Sequence, residues 1–411
     1  MAQTVGVMKL LSVQQHLLSR PLPDVAREVR EQLDALGLQP PQGRVAIPVG
    51  SRGIAQLPTI IRAAGDWLRE HGSDPFIVPA MGSHNGATAE GQQQMIESLG
   101  ITEDAMQMPI LSSMECIKLD SVSTGDVWID RHAYEAEGVL VINRVKLHTC
   151  FSGPVQSGLV KMIVVGMGKI RSAETFHSSP TPQMKDMLLE MGRVIVDSGK
   201  IWAGLAVLED GLDQTAEIHA LPASEILHRE PQLLERHRDY FPALPLDELD
   251  VLIVDEIGKT FSGTGMDTNV IGYRGVKGFE DLDRPRIKII AALGLAAASQ
   301  GNAIGVGLAD FITQRLREAI DEHKTFINVY TTGEMERAKI PATLLNDKAV
   351  IENIRRRYGS RRWMFIPNTL HLDHLFVSED LRDEIEACPN CTIEGEPFDL
   401  SYLNGNHQLQ F

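Results

Sequence analysis

The chain has 411 residues, of which 43% are hydrophobic and 23% charged, and its formal net charge at pH 7 is -16. This length exceeds the roughly 250–300 residues that one hydrophobic core serves, so two domains are predicted. The negative charge disfavours nucleic acid and acidic membranes as partners, and no apolar run approaches the ~20 residues that a membrane helix needs. The four cysteines suit a reducing cytoplasm, and we expect the N-terminus to be mature sequence.

The first half of the chain alternates between helical and strand patterns. Apolar residues at helical spacing predict helices in "RPLPDVAREVREQLDALGL" and "LPTIIRAAGDWLREHG". Short apolar runs predict strands in "GRVAIPVG", "DPFIVPAMG", "AEGVLVINRVKLH" and "KIWAGLAVLED". Strands, turns and helices in this alternation are typical of parallel α/β units.

A charged segment rich in leucine and proline, "REPQLLERHRDYFPALPLDELD", has a weak strand signal and marks a domain boundary near residue 245. Beyond it, strands are predicted in "DVLIVDEIG", "RIKIIAALG", "NAIGVGLADF", "TFINVYTTG" and "RRWMFIP". Helical segments such as "ITQRLREAIDEH" lie between them. The sequence therefore predicts two α/β domains, 1–245 and a smaller one, 246–411.

Three polar side chains come directly after predicted strands of the first domain: Arg52, His84 and His148. Ligands of open parallel sheets bind outside the carboxyl ends of the strands, so we expect these residues to face one crevice. Two histidines across a crevice are suited to taking and returning protons near neutral pH. A guanidinium in the same crevice is suited to a phosphate or a carboxylate.

Two further features have a structural and a chemical interpretation. Lys161 lies inside the apolar run "GLVKMIVVGMG", where a lysine either extends its amine to solvent or provides a desolvated amine for covalent chemistry. Cys388 and Cys391 form a "CPNC" pair with metal-ligand spacing, but no second such pair completes a zinc site. We expect this pair to be incidental.

These motifs resemble those of the nickel-pincer lactate racemase family. "GSH" at Gly82–His84 resembles the family's first histidine turn, and "KLH", ending at His148, resembles the second. Lys161 falls at the position of the family's cofactor lysine, and Gly166, five residues further on, matches a glycine of the family pattern. His177 falls at the position of the nickel-binding histidine.

The resemblance implies an N-terminal catalytic and cofactor-binding domain, a C-terminal domain that contributes to substrate binding, and an active site in the cleft between them. The extreme C-terminus would pack back on the first domain. His84 and His148 would be the catalytic acid/base pair, and Lys161 the anchor of the cofactor, with Lys169 as second choice. His177 would bind nickel. The implied cofactor is the nickel-pincer nucleotide, a pyridinium-3-thioamide-5-thiocarboxylic acid mononucleotide.

Further roles follow from the same resemblance. Ser51, Arg52 and Gly53 would hold the cofactor phosphate, and Lys259 the carboxylate of the substrate. Val49 stands where the family has an acidic residue, and the loop after His148 is longer than in the lactate enzymes. The resemblance therefore implies a divergent racemase or epimerase of a 2-hydroxy acid, whose partners are this small-molecule substrate and the proteins that make the cofactor.

Three alternatives come from other classes of protein. His84, His148 and His177 would bind zinc in a metal-dependent α/β hydrolase. A nicotinamide dehydrogenase would transfer the same hydride, but "VGMGKIRSAE" matches only part of the G-x-G-x-x-G motif of such enzymes. A carrier of nucleotide or metal would bind without turnover.

Overall fold

The structure is a computed structural model that describes residues 7–179, 181–278 and 280–411. The side chains of His177, Ser178, Pro182, Thr331 and Thr332 lie outside the described part. The chain forms two compact units. We call Leu18–Phe241 the large unit, and the described part of residues 1–17 together with Pro242–Phe411 the split unit.

The strands of both units are numbered in chain order: β1 Lys9–Gln15, β2 Gly43–Val49, β3 Ser73–Pro79, β4 Cys116–Val122, β5 Gly125–Asp130, β6 Gly138–Arg144, β7 Ile201–Glu209, β8 Thr215–Pro222, β9 Glu248–Ile257, β10 Arg286–Leu295, β11 Phe311–Thr313, β12 Ala342–Leu344, β13 Trp363–Ile366, β14 His374–Ser378, β15 Cys391–Asp399, β16 Tyr402–Leu403 and β17 Asn406–His407.

The α-helices are numbered in the same way: α1 Val25–Ala35, α2 Leu57–Glu70, α3 Ala89–Ser98, α4 Glu103–Met106, α5 Arg131–Glu135, α6 Leu159–Lys161, α7 Lys169–Ser178, α8 Met184–Asp197, α9 Ala223–Tyr240, α10 Thr268–Ile271, α11 Gln314–Ala319, α12 Glu322–Thr332, α13 Asp347–Tyr358 and α14 Arg382–Glu386. A π-helical turn, Met162–Gly166, continues α6.

The large unit is built on a five-stranded sheet in the order β3-β2-β6-β7-β8. Its strands are parallel except for β8, which is antiparallel to β7. From β2 the chain passes to β3 on one side and later to β6 on the other, so the strand order reverses at β2. Ligands of such sheets bind at the carboxyl ends of the strands that flank the reversal.

The two faces of this sheet bury alternate residues of the same strands. Ala46 and Val141 belong to one apolar cluster, whereas Ile47 and Leu140 belong to the other. Successive side chains of a strand point to opposite faces, so near-continuous apolar strands are buried on both sides. Helices α1 and α2 contribute to the second cluster, and the segment that carries Lys161 contributes to the first.

The split unit has an eight-stranded sheet in the order β12-β11-β10-β9-β13-β14-β1-β15. The strands from β12 to β13 are parallel, and β14, β1 and β15 are antiparallel to their neighbours. Strand β1 thus lies inside this sheet, although the sequence assigns residues 1–245 to the first domain. Pairing with β14 and β15, both near the C-terminus, places β1 in the split unit.

Two predicted strands of the split unit are wrong. "NAIGVGLADF" forms turns around a short 3-10 helix, Val306–Leu308, before β11. "TFINVYTTG" lies in helix α12, despite its β-branched and aromatic composition. The Asp321 side chain accepts from Lys324 N to cap the start of this helix, and Gly333 ends it at φ 76°. These end signals override the strand propensity of the residues between them.

The α/β class with parallel-type sheets is confirmed. The segment expected to mark the domain boundary instead forms most of helix α9, which contains Pro231, and the chain leaves the large unit at Phe241. Of the helices in the described residues, none is both long and apolar enough to cross a membrane.

Candidate functional site

The candidate site lies at the carboxyl ends of β2, β3 and β6 in the large unit. The loop after β2 approaches the π-helical turn, since a Cβ on Gly50 would lie 3.2 Å from Met162 Cε. The loop after β3 approaches it as well: Gly82 N donates to Gly166 O at 3.4 Å. A Cβ on Gly166 would lie 2.8 Å from Ala80 O. Glycine at these positions therefore permits the loops to pack against the segment that carries Lys161.

Ser51 and His84 are in direct contact, because the Ser51 hydroxyl hydrogen-bonds to His84 Nδ1. Gly82 has a φ of 63°, which favours glycine in this turn. The buried Gln92 side chain donates to Gly82 O at 2.8 Å and fixes the turn from below. The structure thus brings together two of the residues assigned to the site from the sequence.

His148 and Lys161 form the central contact of the site. Lys161 Nζ lies 2.7 Å from His148 Nε2, and the backbone N–H of Cys150 donates to His148 Nδ1 at 3.1 Å. A neutral imidazole carries one N–H, so with Nδ1 accepting, that proton is on Nε2. The ring is then the donor and the lysine amine is the acceptor. This arrangement requires an uncharged amine at Lys161.

The electrostatics of Lys161 favour the uncharged amine above about pH 8. Burial lowers the pKa of Lys161 to about 8; the Cys150 thiol opposes the shift, and the positive charges of Arg52 and Lys146 add to it. A lysine with such a pKa is substantially neutral under mildly alkaline conditions, whereas an ordinary lysine is not. Lys161 is therefore suited to forming a covalent bond as a nucleophile.

Arg52 provides a cation that has no partner within the described part of the chain. Among the described residues its guanidinium has no hydrogen bond or ion pair, whereas its neighbour Arg144 is paired with Glu209. Desolvation, with a contribution from Arg144, lowers the pKa of Arg52. A Cβ on Gly53 would meet no atom within 4 Å. A guanidinium beside open space, with no ion pair to any side chain that the structure describes, fits an anionic group such as a phosphate.

The longer loop after His148 is closed at its base. Lys146 N donates to Ser157 O at 2.7 Å, and Ser157 N returns a bond to Lys146 O at 3.2 Å. The buried Gln156 side chain accepts from His148 N at 2.7 Å. Residues 147–156 therefore form a loop that is closed at its base, and His148 at its start lies in contact with Lys161.

Glu230 is a residue of the site that the sequence does not reveal. It lies on α9, is fully buried, and accepts from Val160 N at 2.9 Å at the start of α6. A Cβ on Gly158 would lie 2.6 Å from Glu230 Cδ, so glycine is needed there. Burial raises the pKa of Glu230 to about 7, against the backbone hydrogen bonds of Val160 and Leu159. This carboxyl group caps the turn that positions Lys161.

Lys169 has a structural role. Its side chain is fully buried, 3.1 Å from Asp130 Oδ2 in an ion pair, and it donates to Pro79 O. An amine committed to a buried carboxylate and a carbonyl is a poor nucleophile, so the geometry favours Lys161 over Lys169 as an anchor. The ion pair joins the end of β5 to the start of α7, the helix on which His177 lies, and the hydrogen bond to Pro79 O joins the end of β3 to the same point.

The roles of two further predicted residues, His177 and Lys259, stay predictions. The side chain of His177 lies outside the described part of the chain. Lys259 follows β9 in the split unit, where its backbone N–H donates to Ser299 Oγ at 3.1 Å. Within the described residues no three His, Cys, Asp or Glu side chains are grouped to hold a metal ion. They give no support to the three-histidine zinc site.

Comparisons with known proteins give one informative similarity. No protein-family model and no curated protein sequence matches the chain. Among solved structures, the chain is similar to the lactate racemase apoprotein from Thermoanaerobacterium thermosaccharolyticum, with a TM-score of 0.56 and 13% sequence identity. The similarity covers 87% of this chain and 94% of that one. The chain therefore has a lactate racemase-like fold.

Proposed function

We propose that this protein racemises or epimerises a 2-hydroxy acid with a nickel-pincer nucleotide tethered to Lys161. The observation that carries the proposal is the contact between Lys161 Nζ and His148 Nε2 at 2.7 Å. An uncharged lysine beside an oriented imidazole combines a covalent anchor and a proton-transfer group in one place. The lactate racemase-like fold supports the same class of enzyme.

The described residues fit the nucleotide part of this cofactor. Lys161 offers the uncharged amine for the thioamide link, and Arg52 offers a cation without a partner among the described side chains for the phosphate. Ser51 and Gly53 flank Arg52, and a Cβ on Gly53 would enter open space. His177 would be the nickel ligand, since a neutral imidazole suits that ion.

When bound, the cofactor supplies a hydride acceptor, which permits the substrate carbon to pass through a planar 2-keto form. The chain supplies the proton transfer at the substrate hydroxyl. His148 would exchange its proton through Nε2, because Nδ1 accepts from Cys150 N. His84, held by Ser51, would be the second proton-transfer group, and Lys259 would bind the substrate carboxylate.

Tethering would also change the hydrogen bond of His148. In the unmodified chain, when the Lys161 amine is uncharged, Nε2–H donates to it. A thioamide nitrogen has no lone pair to accept with, so the same N–H would become available to a substrate oxygen. Loading of Lys161 would therefore switch His148 from a structural contact to a catalytic one. The cofactor would come from the cytoplasmic proteins that make it.

The test is turnover of single enantiomers of 2-hydroxy acids, each carrying deuterium on the carbinol carbon, by protein co-expressed with the cofactor-making proteins. Interconversion of the enantiomers with the deuterium retained is expected, because hydride transfer returns the same hydrogen. Lys161→Arg should abolish turnover, and the matched surface variant Lys185→Arg should not. Loss of deuterium to solvent, or net formation of a 2-keto acid, would contradict the proposal.

A further inference from the structure

The cysteines of the "CPNC" motif are brought together by a tight turn between α14 and β15. Cys391 N donates to Cys388 O at 3.1 Å, which closes a four-residue turn over Pro389 and Asn390. The ends of such a turn have their Cα atoms within about 7 Å of each other, and a disulfide needs a Cα separation of about 4.4–6.8 Å. The backbone is thus compatible with a bond between the two side chains.

Both thiols are free, partly exposed and in contact with each other. Cys388 Sγ lies 3.3 Å from Glu384 O and 3.4 Å from Pro245 O, and its one thiol proton can be donated to either oxygen. Burial, with the neighbouring Cys388, raises the pKa of Cys391 to about 11. The raised pKa disfavours the thiolate of Cys391, which is the reactive form of a thiol.

We propose that Cys388 and Cys391 form a reversible intramolecular disulfide, a redox modification site separate from the candidate site in the large unit. The oxidant is a low-molecular-weight disulfide such as oxidised glutathione. The Cys388 thiolate attacks one of its sulfurs, forms a mixed disulfide and releases one glutathione thiolate. Cys391, after losing its proton, then attacks Cys388 Sγ and releases the second. Two protein thiols and one glutathione disulfide thus become one protein disulfide and two glutathione thiols.

The position of this turn gives the modification a structural consequence. Asn390 O accepts from His16 N at 2.7 Å, close to Leu17, where the N-terminal segment leaves the split unit. Pro245, which accepts from the Cys388 thiol, lies close to Pro242, where the chain returns to the unit. Oxidation removes the thiol proton that contacts Pro245 and ties the end of α14 covalently to β15. Disulfide formation would therefore remove the hydrogen bond from the Cys388 thiol to Pro245 O. It would also restrain the turn whose Asn390 O accepts from His16 N.

The other two cysteines provide the controls. Cys116 and Cys150 lie in the large unit, far apart in sequence, and the Cys116 thiol donates to Gly168 O at 3.6 Å. Burial raises the pKa of Cys116 to about 11, which disfavours its reaction with a disulfide. Cys116→Ser is therefore the matched variant, since it removes a thiol without touching the turn.

The experiment is incubation of the folded full-length chain with oxidised glutathione, then alkylation of free thiols and peptide mass analysis. In wild type and Cys116→Ser we expect the peptide with Cys388 and Cys391 to lose two hydrogens and to regain them with reduced glutathione. Cys391→Ser should stop at one glutathione adduct on Cys388. Two unreacted thiols, or stable glutathione adducts on both cysteines of the wild-type chain, would overturn the proposal.

Discussion

The state of the Lys161 amine is open to direct measurement. A pKa of about 8 in place of the ordinary 10.5 raises the neutral fraction of the amine at pH 7 by about 300-fold. This increase follows from burial and from the positive charges of Arg52 and Lys146. We therefore expect Lys161 to react with an acylating reagent at a pH where a lysine with an ordinary pKa would be almost fully protonated.

The assay is competitive acylation of the unloaded protein across pH 6 to 11, with the extent at each lysine read from peptide masses. The pH midpoint of labelling, rather than the rate, is compared, because partial burial slows access of the reagent to Lys161. The exposed Lys185 serves as the internal reference. Arg52→Met should move the midpoint of Lys161 upward by removing a nearby positive charge. A wild-type midpoint equal to that of Lys185 would refute the reasoning.

Three predictions concern the packing around the site. Burial lowers the pKa of His237 to about 3, so between about pH 6.5 and pH 3 only the unfolded chain binds this proton. The free energy of unfolding therefore decreases as the pH is lowered through this range, by at most ~1.4 kcal/mol per pH unit. In urea unfolding, His237→Phe should lose less stability than wild type between pH 7 and pH 5. Equal losses in wild type and variant would contradict this prediction. Lys169→Met should lower the free energy of unfolding in the same assay by about 3–5 kcal/mol, because the Asp130 carboxylate is left buried without its ion-pair partner. Adding Asp130→Asn should recover part of this loss, and a double variant whose loss is the sum of the two single losses would refute the prediction. Gly158→Ala should lower the free energy of unfolding by about 1–3 kcal/mol, because the added methyl group clashes with Glu230. Glu230→Ala in the same chain should relieve the clash, so a double variant that loses the sum of the two single losses would contradict this explanation.

Local signals of the sequence account for the α/β class and for the loops of the candidate site. Apolar runs ending in glycine turns locate β2, β3 and β6 because both the burial of a strand and the turn that ends it depend on nearby residues. The contact of Ser51 with His84 then follows from parallel pairing, which brings the carboxyl ends of the neighbouring strands β2 and β3 to one edge. His148 and Lys161 both come after β6, and their contact follows instead from the loop between them, whose ends are joined by the hydrogen bonds of Lys146 with Ser157.

The features that the sequence does not reveal depend on distant partners. Strand β1 joins the split unit by pairing with β14 and β15, which lie more than three hundred residues along the chain. Glu230 caps the turn before Lys161 from a position 70 residues away from Val160. The sequence pattern predicts a strand in place of helix α12, because the apolar and β-branched residues there favour a strand. The capping residues at its two ends stabilise a helix instead.

The most direct test of the proposed function is the mass of Lys161 in native protein co-expressed with the cofactor-making proteins. Intact and peptide mass analysis, with metal analysis of the same sample, should show a mononucleotide-sized adduct on Lys161 together with nickel. Lys161→Arg should carry no adduct, and Lys185→Arg should be loaded like wild type. An unmodified Lys161 in protein prepared in this way, or an adduct on Lys169 instead, would contradict the account.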